Sequence, residues 1–177
     1  MKLRIVPVTI TAIVSAALLF GGWYAYGRYG VEKPLDRIAQ AVPGVEAAHS
    51  EHTAGGVRLQ LKLAPDADLA AVYRQIREDG ERTVGGQKLE LAVEQPADAT
   101  LERLWGQALF DVAEAMDHRT YSGIRDAMAK LEAGHPGLVT ATEMDDDNVY
   151  VTLKLNDAVK FVVLPREPQK LEVWPNA

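Results

Sequence analysis

Hydrophobic residues in this chain fall into three kinds of run: one unbroken block, stripes at helical spacing, and strict alternations. After the block, Leu35, Ile38, Ala39 and Val42 recur at three and four positions. Pro34 suits the first turn of that helix and Pro43-Gly44 stops it. Val45 to His52 reads as a strand and Ala54-Gly55-Gly56 as a turn. Val57, Leu59, Leu61 and Leu63 then alternate with Arg58, Gln60 and Lys62, the pattern of a half-buried strand. Beyond the Pro65-Asp66 turn, Leu69, Val72, Tyr73 and Ile76 form a second helical face, ended by Gly80. Past Gly85-Gly86, Leu89, Leu91 and Val93 alternate as a third strand. The order helix, strand, strand, helix, strand places two helices on one face of a three-stranded sheet.

Pro96 to Ala99 reads as a short linker. Leu101, Leu104, Trp105, Ala108, Leu109, Val112, Ala113 and Met116 then give the clearest amphipathic helix of the chain. Ser122 or Thr120 can cap the next helix, whose face is Ile124, Ala127, Met128 and Leu131 and whose end is Gly134 to Gly137. A meander follows: Leu138 to Met144, Val149 to Leu155 and Ala158 to Leu164, with Asn156-Asp157 as a two-residue hairpin turn of positive φ. Val149, Val151, Leu153 and Leu155 share a face, which Val159, Phe161 and Val163 are expected to continue. The tail, with Pro165, Pro168 and Pro175, reads as irregular.

These two halves share a pattern. Pro43-Gly44-Val45 ends a helix in one and Pro136-Gly137-Leu138 in the other, and Val57–Leu63 matches Val149–Leu155 in alternation. A duplication leaves such a match, and any helix-to-hairpin unit needs one as well.

The unbroken block runs from Ile5 to Gly27 without a charge. As a helix rising about 1.5 Å per residue it would cover roughly 35 Å, against about 30 Å for a hydrocarbon core. The expectation is therefore an N-terminal transmembrane helix, bound to a lipid bilayer through residues 5–27 as an uncleaved signal anchor. Trp23, Tyr24, Tyr26 and Arg28 are its expected membrane-interface residues. Lys2 and Arg4 ahead of the block favour an internal N-terminus and an extracytoplasmic domain. A cleaved signal is the competing reading, with cleavage after Gly27 and Ala25 three positions before the cut. Against it stand the length of the block and the bulk of Tyr26.

Composition then removes function classes. The 177 residues carry 19 Lys plus Arg against 25 Asp plus Glu, a net charge of -6. Without Lys2 and Arg4 the balance is 17 basic against 25 acidic residues, or -8. Such a surface argues against nucleic acid as a partner, since phosphate backbones need clustered Lys and Arg. Zero cysteines exclude disulfides, Cys-ligated metals and thiol nucleophiles. His49 and His52 point to opposite faces of a strand, and His118 and His135 fall at helix ends and turns, so surface and capping roles fit all four. Asp145-Asp146-Asp147-Asn148 is the densest oxygen cluster, but it lacks the spacing and the Gly of a calcium loop. Ser50 and Ser122 lack a G-x-S-x-G setting, and neither Gly55-Gly56 nor Gly85-Gly86 leads into a phosphate loop. No catalytic, cofactor-binding or metal residue is assigned.

The helix ending in Pro43-Gly44-Val45, the hairpin behind it, the second helix and the last strand resemble the ferredoxin-like modules of heavy-metal-associated domains. The same order over residues 34–95 is similar to ring-building and BON-type envelope modules. The metal carriers hold their ion with a C-x-x-C loop, which this cysteine-free chain lacks, so the resemblance implies architecture alone.

The expected fold class is α+β: a transmembrane anchor at 1–29, an αββαβ ferredoxin-like unit at 30–95, and a helix-helix-meander unit at 96–177. The expected function is that of a single-pass cell-membrane protein of the envelope, not an enzyme, which binds other envelope proteins or self-associates. Leu101, Trp105, Leu109, Val112 and Met116 form its candidate interaction face. The alternative is a small-ligand or metal-dependent protein with a site between the halves, where Glu143 and Asp145 to Asp147 are the first suspects.

Overall fold

A computed structural model describes residues 5–26 and 32–166, with the side chains of 9–22 in the first stretch. Among the described residues the chain is α+β, with five helices and two three-stranded sheets. Helix α1 covers Ile5–Tyr26. It does not meet the expectation of a membrane span: among the described residues no helix is long and apolar enough to cross a membrane. Its apolar residues are interrupted by Thr9, Thr11, Ser15, Gly21 and Gly22. The side chains of Trp23, Tyr24 and Tyr26, and all of Arg28, lie outside the described residues, as do Lys2, Arg4, Pro168 and Pro175.

Two compact units divide the chain: Met1–Lys62 with Gln75–Ala92, and Leu63–Arg74 with Val93–Ala177. In the first, α2 (Lys33–Gln40) carries Pro34 in its first turn, and Leu35 and Ala39 are fully buried. Strands β1 (Val45–Thr53) and β2 (Gly56–Leu63) are joined through Ala54-Gly55. Val57, Leu59 and Leu61 alternate inward as expected. Helix α3 (Leu69–Thr83), whose residues up to Arg74 belong to the second unit, leads to β3 (Leu89–Glu94), whose last two residues do as well, and the sheet order is β1-β2-β3. Val57 N–H donates to Lys88 O at 2.9 Å, so β2 and β3 start side by side and run the same way. A ferredoxin-like fold needs a further strand ahead of the first helix. Among the described residues none precedes α2, and the unit has three strands in sequence order.

Gly80 does not end α3, which continues to Thr83. A Cβ there would sit 2.8 Å from Leu89 Cδ2 and 3.1 Å from Leu35 Cδ1. This glycine lets a helix lie close to its neighbours, a role that leaves the same mark in a sequence as a stop.

In the second unit α4 (Ala99–Asp117) and α5 (Ser122–Gly134) pack on the antiparallel meander β4 (Leu138–Met144), β5 (Asn148–Leu155) and β6 (Ala158–Pro165), ordered β4-β5-β6. The supposed linker supplies the α4 cap: Asp98 Oδ1 accepts from Thr100 and Leu101 N–H, both at 2.9 Å. Helix α5 has no side-chain cap from Ser122 or Thr120. The hairpin turn falls at Asn156-Asp157, with only Asn156 at positive φ, 54°. A two-residue turn pairs odd positions with even ones: Val151 opposes Val162, and Tyr150 opposes Val163. The core face therefore continues through Val162 and Leu164, whereas Phe161 and Val163 share the other face with Tyr150. Strand β6 is apolar at both parities, so its sequence does not declare its register.

Both units hold a helix to the strand behind it with one carboxylate. Asp36 Oδ1 accepts from Ser50 N–H at 2.7 Å and Ser50 O–H at 2.6 Å. Glu132 Oε2 accepts from Thr140 N–H at 3.1 Å and Thr140 O–H at 2.8 Å. These bonds occupy outward amides of β1 and β4, each at one edge of its sheet. At the opposite edge of the meander, the Gln95 side-chain amide accepts from Phe161 N–H at 2.7 Å and donates to Phe161 O at 2.9 Å. Each bond blocks one position of its edge to another strand.

Candidate functional site

The acidic cluster is closed on itself. Asp145 Oδ1 accepts from Asp147 N–H at 2.9 Å and Asn148 N–H at 2.8 Å, while Tyr150 O–H donates to Oδ2 at 2.7 Å. Both carboxylate oxygens thus serve the loop before β5, which is the work of an Asx turn. Arg166 clasps that loop from outside, its Nη1 donating to Asp145 O at 2.8 Å and Asp146 O at 2.9 Å. Its guanidinium stands 4.8 Å above the Tyr121 ring. Tyr121 first, then Asp146 and Asp145, raise the Arg166 pKa above its ordinary value, against the opposing effect of burial. The first suspects of the sequence therefore separate: Asp145 holds a turn, Asp146 and Asp147 are exposed, and Glu143 lies on β4.

Each histidine has a local role or faces solvent. His49 is exposed on β1. His52 Nδ1 lies 3.1 Å from Glu32 Oε1. His118 follows the last turn of α4 and bonds back through its N–H to Glu114 O at 3.0 Å. His135 Nδ1–H donates to Leu131 O at 2.9 Å at the end of α5. Among the described residues no group of three His, Asp or Glu is placed to hold a metal ion.

A groove of about 280 Å³ opens in the second unit between the Pro65–Ala70 segment and the outer face of β4 and β5. Asp66, Asp68 and Glu143 line it with Lys154, Val139 and Tyr150. It offers acidic charge and a hydroxyl already bonded to Asp145, without a nucleophile set beside a base.

Helix α4 is apolar on two faces. Leu101, Leu104, Ala108, Val112 and Ala115 turn inward to Ile124, Met128 and the Val151 and Leu153 side chains of β5. Trp105 and Met116 pack at the margin of that core. Of the expected interaction face, then, Leu101 and Val112 are buried, Trp105 and Met116 are half-buried, and Leu109 faces out at 44% exposure. Phe110, which the periodicity passed over, is 82% exposed. With Gly106 and Ala113, both exposed, these two form a second stripe at spacings of three and four. A glycine inside that stripe lowers its hydrophobic signal, and the stronger inner stripe at the neighbouring positions hides the remainder.

No protein-family model matches the chain, no curated protein matches it, and no solved structure matches it.

Proposed function

We propose that this protein is a non-catalytic protein–protein interaction or assembly module. The outward Leu109–Phe110 pair on α4 carries the reading. Burial of a Phe side chain gains about 1.5–3 kcal/mol, and an exposed one on a firmly packed helix is positioned to gain it from a partner. Asp98 caps this helix and its inner face is in the core, so the pair is presented on a rigid element. The proposal includes an envelope address with the domain outside the cytoplasm, motivated by Lys2 and Arg4 ahead of the charge-free run. An acidic balance of -8 in the remainder favours proteins over nucleic acid as partners.

The test puts a photo-crosslinking residue at Phe110 in living cells, with the exposed Arg125 of α5 as the reference position. Discrete protein adducts from position 110 and few from position 125 are expected. Equal yields from both would defeat the interaction reading. Protease treatment of intact spheroplasts tests the address: digestion of the domain is expected, and a protected domain contradicts it.

A further inference from the structure

We infer that the outer face of α4 pairs with the same face of a second copy, the two helices antiparallel about a two-fold axis at Leu109–Phe110. The inference deepens the interaction reading and rests on it.

The stripe is symmetric about its centre. Arg103 lies seven residues before Phe110 and Asp117 seven after it; Gly106 and Ala113 flank the Leu109–Phe110 pair at three and four positions. Seven residues are close to two helical turns, so Arg103, Phe110 and Asp117 share one line along the helix and Gly106 and Ala113 share the adjacent one. All six are exposed. In an antiparallel pair, Arg103 of each copy stands level with Asp117 of the other, twice over. A parallel pair would oppose Arg103 to Arg103 and Asp117 to Asp117, which is repulsive at both ends.

Shape agrees with charge. A Cβ added at Gly106 would meet no heavy atom within 4 Å, so the groove beside the Phe110 ring is open. Gly106 and Ala113 let two helices approach and give each Phe110 ring a shallow seat on the partner. Two neighbouring acids are engaged elsewhere: Glu102 accepts from Lys160 Nζ at 2.6 Å, and Asp111 lies 3.7 Å from Lys130 Nζ, while Glu114, exposed one turn after Phe110, adds negative charge towards the Asp117 end. Arg103 and Asp117 have no ion-pair partner among the described residues, which leaves opposite charges at the two ends of the stripe. An isologous interface needs this self-complementarity.

Sedimentation of the purified full chain tests the pairing. The wild type is expected to dimerise with concentration and Phe110→Glu to stay monomeric with an unchanged unfolding curve. Arg103→Asp sets Asp against Asp and is expected to weaken the dimer by about tenfold or more; adding Asp117→Arg restores it. The cysteine-free chain permits a second measurement. Gly106→Cys mixed with Ala113→Cys should give a disulfide heterodimer, and neither alone a homodimer. A monomeric wild type, or a charge swap that does not restore association, overturns the second-copy assignment. Where position 110 still crosslinks another protein in cells, the interaction reading survives that failure; where it crosslinks nothing, both fall.

Discussion

The two helix-to-strand clamps use one chemistry in two environments. In the first unit Asp36 on α2 receives the N–H and O–H of Ser50, which is 1% exposed. In the second Glu132 on α5 receives the N–H and O–H of Thr140, with Glu132 itself exposed. The same turn precedes both strands. Val45 N–H donates to Val42 O at 3.2 Å and Leu138 N–H to His135 O at 3.1 Å, with Pro43 and Pro136 second in each turn. Gly44 and Gly137 come third, at φ 88° and 87°. Pro then Gly at positive φ is the type II turn. What differs is water. A buried amide that loses its acceptor stays unpaired, whereas an exposed one finds solvent.

The largest effect follows from that difference. Asp36→Ala removes the acceptor of a buried N–H, while the Ser50 hydroxyl keeps Glu32 O at 3.1 Å, and a loss of about 2 kcal/mol is expected. Urea unfolding reads it as a lower midpoint at unchanged slope. Asp36→Asn keeps one acceptor oxygen and should recover about half of the loss. A loss for Asp36→Ala no larger than for Glu132→Ala would remove burial as the distinction between the clamps.

Such clamps are illegible in a sequence because they join elements: Asp36 and Ser50 are 14 positions apart, and Glu132 and Thr140 are 8. Local features were readable. The alternation of Val57 to Leu63 and the stripe from Leu101 to Val112 gave β2 and the inner face of α4, since a period is a property of neighbours. Three-dimensional context decided the remainder. Gly80 carries no local mark of a packing role, and the register of β6 rests on one turn because both of its faces are apolar. For the candidate site, Leu109 was legible and Phe110 was not, because two stripes at the same period overlap on one helix.

The shared turn gives the second way to sharpen the comparison. Gly44→Ala and Gly137→Ala each force a Cβ into the left-handed region, at about 1–2 kcal/mol. At Gly137 the added Cβ would meet its nearest neighbour, Leu155 Cδ1, at 3.8 Å, so the penalty there is conformational, not steric. The two losses are expected to agree within about 0.5 kcal/mol in matched unfolding experiments. A disparity of several-fold would show that the equal φ angles conceal unequal surroundings.

The smallest effect belongs to Glu132→Ala, under about 1 kcal/mol, since Thr140 is only half-buried and water replaces the carboxylate. Its consequence lies at the sheet edge. Strand β4 also exposes Val139 and Met144, so removing Glu132 leaves an outward amide beside apolar side chains. The variant should therefore unfold almost as the wild type does and yet self-associate slowly on storage, with light scattering rising before any fall in the unfolding midpoint. Asp36→Ala should show the reverse order, with stability lost first. If Glu132→Ala stays free of scattering at the concentration where the wild type does, the exposed clamp has no protective role and differs from the buried one in strength alone.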